Sequence, residues 1–190
     1  KDNTSAKMLP NLIERANKGM VRLNVLIEDL LNVSKLNQGQ VRLDRKRFII
    51  AQMLEDCCGH VRAENKYAIK IEGDTELAVD ADEYRIEQVI ENFVNNAVKY
   101  APSSKDIIVN ISKEENSAKV SVTDKGPGIN PKQIPYLFDR YYRVDSSGSQ
   151  YSGLGLGLYI SSEIIKKHDG KIGVDSVLGE GSTFWFTLPL

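Results

Sequence analysis

In ENFVNNAVKY, residues 91–100, Asn92 and Asn96 stand four apart and Lys99 three further on, so on a helix they project from one face. A carboxamide oxygen is a neutral hard ligand suited to Mg2+, and a lysine ammonium is a point charge suited to phosphate oxygens. The same residues taken alone also fit the solvated side of an ordinary helix. In DKGPGI, Asp124 ends an alternating stretch, and Gly126 and Gly128 let the backbone turn closely past whatever lies beyond. A carboxylate there accepts from an amino group such as N6 of adenine and repels the carbonyl that guanine carries at that position. A plain tight turn is the alternative reading.

YSGLGLGLYI puts Gly153, Gly155 and Gly157 at alternate positions before a helical pattern. The first N–H groups of a helix lack intrahelical partners and sit at the positive end of its dipole, so an anion is welcome where glycines leave room for it. The spacing is not that of a Walker loop, and the strand that should precede a Rossmann fingerprint is missing. GEGSTF, residues 179–184, offers two glycines and the Ser182 hydroxyl, enough to complete a polar pocket or simply to turn a hairpin.

These residues need elements to hold them. EYRIEQVIENFVNNAVKYA reads as a helix with Ile86, Val89, Ile90, Phe93, Val94 and Ala97 on its apolar side, ended by Pro102. DIIVNISKEENSAKVSVTD reads as a β-hairpin, and KIGVDSV with STFWFTLPL as a closing strand pair. A helix is expected from about Leu156 to His168 and a short one in QIPYLFDRYY. Earlier, KRFII, YAIKIEG and LAVDAD read as strands and AQMLEDCCGHVRAEN as a helix. Before all of these, Leu9, Ile13, Ala16, Met20, Leu23, Ile27 and Leu30 recur at steps of four and three, widened by Leu12, Leu26 and Val33, which favours a bundle helix running to about Asn37 over one lying on its own domain.

With 41% hydrophobic and 27% charged residues and a formal charge of −1, nothing marks a nucleic-acid binder or a membrane-surface protein. The two cysteines, Cys57 and Cys58, are adjacent, which suits neither an ordinary disulfide nor a zinc site, even with His60 nearby; reduced helix residues, at least one of them buried, in a cytosolic setting are expected. No apolar run is long enough to span a bilayer.

Taken in order, ENFVNNAVKY, DKGPGI, LFDRYYR, GLGLGL and GEGSTF resemble the ATP-binding motifs of the GHKL ATPase superfamily in the version carried by sensor histidine kinases, over the region from about Val41 to Leu190. The leading helix resembles the second helix of the kinase dimerisation hairpin, a feature foreign to gyrase-type and mismatch-repair cousins. The resemblance implies an α+β fold: a two-layer sandwich with a mixed sheet and helices on one face over 41–190, preceded by a partial dimerisation region over 1–40. It implies ATP and Mg2+ as cofactors, with Asn96 on the metal, Asn92 supporting the same metal and phosphate region, Lys99 at the phosphates and Tyr100 near the nucleoside. Asp124 would read adenine beside Gly126, Gly128 and Ile129, and Gly153, Leu154, Gly155, Leu156 and Gly157 would frame the triphosphate. Ser182 stands where the family often has Thr and keeps the hydroxyl for a water-bridged contact towards adenine. Phe138 and Tyr141 would pack the base of a lid and Arg143 would reach the γ-phosphate; Asn92, Lys99 and Arg143 form the implied catalytic set.

Partners implied are the dimerisation hairpin of a homodimeric parent and a response regulator receiver domain, with no nucleic acid and no membrane contact by this segment. The setting implied is cytoplasmic, anchoring of the parent in the inner membrane being left open. One departure stands out. The family phosphorylates a histidine in a context like His-Glu-Leu-Arg-Thr-Pro, whereas His60 and His168 are the only histidines here. His168 reads as a cation near a helix C-terminus and His60 as a surface or half-buried helix residue. The acceptor is therefore expected on a first hairpin helix outside this sequence or on another chain, and self-phosphorylation is not expected. A degenerate nucleotide sensor or scaffold, or a serine kinase of the anti-sigma-factor type, remains as an alternative.

Overall fold

The computed structural model describes residues 42–57, 59, 67–102, 104, 106–144 and 154–190, together with 10, 12–14, 16, 17, 19, 20, 23, 24, 26, 27, 30, 31 and 34. The chain falls into two compact units, Lys1–Val41 and Arg42–Leu190. In the first, every described residue is helical. Leu12, Ile13, Met20, Leu23, Ile27, Leu30 and Leu31 leave between 46% and 61% of their surface in solvent, while Leu9 and Val33 lie outside the described residues.

The second unit runs β1 (Lys46–Ile49), α1 (Ile50–Cys57), β2 (Ala68–Gly73), β3 (Ala78–Ala81), α2 (Glu83–Tyr100), β4 (Asp106–Glu114), β5 (Ser117–Asp124), a 3-10 turn (Ile134–Tyr136), α3 (Gly157–Lys167), β6 (Ile172–Val177) and β7 (Gly181–Pro189). A five-stranded sheet has the order β2-β4-β5-β7-β6, with β2 and β4 parallel and the other neighbours antiparallel. The parallel pair requires a crossover, and α2 lies on it, which sets this helix over the sheet. Along β5 and β7 burial alternates residue by residue, so Ala118, Val120, Val122, Phe184, Phe186 and Leu188 share one buried face. Against them α2 buries the six apolar residues of its stripe, and α3 buries Ile160, Ile164 and Ile165. Each valine, leucine, isoleucine or phenylalanine among them stabilises the fold by about 1.5–3 kcal/mol relative to exposure. The Phe93 ring sits 5.5 Å from that of Phe184 and 6.3 Å from that of Phe186, which fixes α2 over β7.

The mixed sheet with packed helices is the architecture the sequence predicts. One local expectation fails. QIPYLFDRYY forms only the three-residue turn, with Pro135 in its first turn, where a missing N–H costs nothing. In addition, β1 and β3 pair with each other as a separate antiparallel ribbon, which four-residue alternating runs do not reveal in advance. Cys57 is half-buried, its thiol 3.7 Å from the Leu54 carbonyl; Cys58 and His60 lie outside the described residues.

The reading of His168 as a helix-end cation is also corrected. His168 is only 1% exposed; its Nε2 accepts the Asp82 N–H at 3.0 Å and its Nδ1 faces the Ile164 carbonyl at 2.8 Å, so it is the neutral Nδ1–H tautomer. The cation at this helix end is Arg45, whose Nη2 donates to the Lys167 carbonyl at 2.9 Å and to Asp169 at 3.0 Å. Asp82 in turn caps α2, its Oδ1 accepting from Arg85 N–H and its Oδ2 from Asp44 N–H. Burial pushes the His168 imidazole below its ordinary range; the Ile164 carbonyl, Asp82 and Asp169 oppose that and Arg45 adds to it. With the folded value depressed, this contribution to stability is present above about pH 6.5 and is lost as pH falls through the folded value. Urea midpoints measured at pH 7.5 and pH 5 are expected to drop on acidification, with a smaller drop in His168→Gln. An unchanged pH dependence in the variant would show that other groups govern it.

Candidate functional site

The C-terminal half of α2 carries the sequence-predicted residues Asn92, Asn96, Lys99 and Tyr100. At its C-terminal end, Asp124 closes β5 directly opposite Ser182 of β7. The Asp124 carboxylate is 8% exposed, and its Oδ1 accepts the Gly126 N–H at 2.7 Å. Burial raises its pKa above the ordinary carboxylate value, partly offset by N–H groups of Gly126 and Ser182 that favour the charged form. A side chain at Gly126 would meet Asp124 Oδ1 at 2.7 Å and approach the Tyr100 carbonyl at 3.3 Å, so the loop runs tight against the end of α2. Gly128 has φ +68°, and a Cβ there would overlap the Val177 carbonyl. Next to it, the Ile129 N–H donates to Ser176 Oγ at 2.9 Å and the Gly179 N–H to the Pro127 carbonyl at 2.7 Å, which ties this loop to the β6–β7 turn.

Two turns nearer its start, α2 meets the first residue of α3. Gly157 packs so closely on the Asn92 carboxamide that an added Cβ would lie 3.1 Å from Asn92 Cγ. Asn92 Nδ2 donates to the buried Ser161 Oγ at 3.0 Å, which fixes the carboxamide with its Oδ1 towards Gly157. The N-cap residue of α3 is Leu156, whose side chain makes no capping hydrogen bond, and the first N–H groups of a helix are suited to an anion. Leu156 is buried and Leu154 half-buried. Gly155, at φ +70°, passes so near the Tyr142 carbonyl that a Cβ would lie 2.6 Å from it. The Tyr141 N–H donates to the Gly155 carbonyl at 3.1 Å, and the Arg143 side chain packs beside the same glycine.

Asn96 is half-buried one turn along α2 from Asn92. The Lys99 ammonium lies 4.7 Å from the centroid of the Tyr100 ring, two turns from Asn92. Phe138 is half-buried beside the buried Leu137, Tyr141 is exposed with φ 67°, and the Arg140 guanidinium stacks on its ring at 4.8 Å. Gly153 lies outside the described residues. The structure thus gathers Asp124, Gly126, Gly128, Ile129, Tyr100 and Ser182 in one group, and Asn92, Gly157, Gly155, Tyr141 and Arg143 around the start of α3. Sequence reasoning missed Ser161 and Ser176. Ser161 follows the glycine run by four residues, one helical turn, which could have marked it; an isolated serine on a strand gives no such signal.

The family model for the histidine kinase-, DNA gyrase B- and HSP90-like ATPases matches residues 81–190, and the chain belongs to that family. It is 34% identical over 174 residues to the sensor histidine kinase WalK of Bacillus subtilis, covering 88% of this chain and 28% of WalK. It is 33% identical to the phosphate regulon sensor protein PhoR of Pseudomonas aeruginosa, covering 86% of this chain and 38% of that protein. The chain therefore spans well under half the length of these relatives. Among solved structures, full-length ShkA in complex with AMPPNP superposes with TM-score 0.78 at 28% identity over 95% of this chain and 38% of its own. The catalytic domain of the histidine kinase ThkA gives TM-score 0.64 at 25% identity over 77% of this chain and 95% of that domain. No helix among the described residues is long and apolar enough to cross a membrane.

Proposed function

We propose that residues 42–190 bind ATP with Mg2+ and form the kinase core of a sensor histidine kinase. On this reading the first 40 residues are the second helix of its dimerisation hairpin, and the phosphoryl group passes from histidine to an aspartate of a response regulator. The observation that carries the reading is α2 itself. Its C-terminal end abuts the Gly126 loop beside a buried acid on a strand end, and its Asn92 abuts the uncapped start of α3. The eight-residue step from Asn92 to Tyr100 spans about 12 Å, so the helix serves as a ruler between a base-reading carboxylate and an anion seat.

The donor set fits Mg2+: Asn96 and Asn92 offer neutral carboxamide oxygens, and this cation keeps water and phosphate oxygens for its other positions. When bound it would neutralise charge on the phosphate chain. The chain's own residues do the rest. Asp124 orients the base, the N–H groups at the start of α3 and Lys99 hold the phosphates, and Arg143 approaches from beside Gly155. Phosphoryl transfer asks chiefly for such positioning. An imidazole nitrogen attacks the γ-phosphorus, the bond to the ADP oxygen breaks, and the imidazole proton goes to a base on the acceptor helix. His168 cannot be that acceptor, being buried and bonded through both ring nitrogens.

Titration calorimetry with Mg-ATP should show saturable binding. Asn96→Asp should change the Mg2+ dependence of that binding about tenfold or more while leaving the preference for ATP over GTP in place. No heat and no competition in the millimolar range would defeat the reading. Transfer of labelled phosphate to a separately supplied hairpin bearing a histidine distinguishes a kinase from a nucleotide sensor.

A further inference from the structure

Ser176, on β6, sits among three groups at once. Its Oγ accepts the Ile129 N–H at 2.9 Å, donates to the Gly181 carbonyl at 2.8 Å and lies 3.0 Å from Ser182 Oγ. A hydroxyl has one proton and two lone pairs. The Gly181 carbonyl can only accept, so it takes the Ser176 proton, and one lone pair is taken by the Ile129 N–H. The Ser182 contact must then run the other way, with Ser182 donating to Ser176. Ser182 has no second proton to offer.

From this we infer that Ser176 is a specificity-determining positioning residue: by taking the Ser182 proton, it leaves the Ser182 oxygen able only to accept on its side facing Asp124. Asp124 and Ser182 are direct cross-strand partners on the same buried face, 8% and 7% exposed. Together they make an edge of two acceptors, a carboxylate and a lone-pair-only hydroxyl. Such an edge matches an exocyclic amino group, which has two protons to give, directly or through a water. It opposes a carbonyl at the same place, which would meet acceptors with nothing to donate. A serine free to rotate would donate to a carbonyl and blunt that discrimination. The inference rests on the nucleotide reading above and deepens it, since Asp124 alone is no longer the whole of the base filter.

The test is a double-mutant cycle read by competition of ATP and GTP, each with Mg2+, for the wild-type chain, Ser176→Ala, Ser182→Ala and the pair. Ser176→Ala is expected to narrow the ATP/GTP affinity ratio about tenfold, as is Ser182→Ala, with the double variant no worse than either single one. Ser176→Thr, which keeps a hydroxyl, should retain most of the ratio. Tripolyphosphate competition should be unchanged throughout, because that ligand has no base. A ratio within twofold of wild type in Ser176→Ala, or single effects that add fully in the double variant, would overturn the inference and leave Ser176 a loop pin. Should Ser176→Ala fail to fold, an unchanged ratio in Ser182→Ala overturns it alone. Failure of the wild-type chain to bind either nucleotide would instead overturn the nucleotide reading, and this inference with it.

Discussion

Asp124→Asn is expected to weaken ATP binding roughly 10- to 100-fold, the worth of a hydrogen bond to a charged acceptor, while the ligand-free domain becomes no less stable. The two halves of that expectation have one cause. Burial makes the ionised carboxylate costly, so its folded pKa is raised, and the N–H groups of Gly126 and Ser182 only partly compensate. An acid with a raised folded value favours the fold below its unfolded pKa and loses that favour as pH rises through the folded one. At neutral pH the charge is therefore carried at the expense of stability. Asparagine keeps an oxygen for the Gly126 N–H and removes the charge, but it also brings an NH2 group that can face an amino group of a base with nothing to accept. Rejection of GTP should relax in the same variant. Calorimetry for both nucleotides, paired with thermal melts without ligand, checks it: a large loss of ATP affinity accompanied by an equally large loss of apo stability would mean that Asp124 is structural.

Phe93→Ala is expected to destabilise the domain by about 3–5 kcal/mol, lowering its melting temperature by on the order of 10 °C. Phe93 is 1% exposed and faces Phe184 and Phe186 of β7. Truncation leaves a void beneath the middle of α2, and neighbours as large as two phenylalanines cannot collapse fully into it. The position matters beyond stability, since Asn92 precedes Phe93 and Asn96 follows it by one turn. Helix α2 carries its buried stripe and its polar face on the same rigid rod, so settling on one side displaces the other. Nucleotide affinity should fall even at temperatures where the variant is fully folded. Denaturant melts with intact-protein calorimetry at 10 °C separate the two effects, and a loss under about 1 kcal/mol would show that the core reorganises around the gap.

How much of this is legible in the sequence depends on where a residue's partners come from. Helix α2, with its regular apolar spacing, and the β4–β5 hairpin are local patterns and read directly. Asp124, Asn92 and Gly157 stand out because each belongs to a short motif whose spacing can be read locally, the first at a strand end, the second on the polar side of α2 and the third at a helix start. His168 is misread for the opposite reason: KKHDGK is polar on both sides, and only the fold places Asp82 N–H and the Ile164 carbonyl against its ring. Arg45 and Ser176 are silent for the same cause, because Lys167 of α3 and Ile129 of the loop after β5 reach them from far along the chain. The β1–β3 ribbon is hidden because short alternating runs do not say which strand they will join.

The pairing of Asp124 with Ser182 also bears on how the domain comes into being. Strand β7 enters the sheet between β5 and β6, so β6 can join the layer only after β7 has been made and a long loop has been drawn shut against its entropy. During synthesis the helices and the first hairpin can form early, yet a chain grown only to about residue 175 holds Asp124 without its cross-strand partner Ser182. The edge these two residues make thus arises only with β7, and a ligand that needed both would report that this strand has joined the sheet.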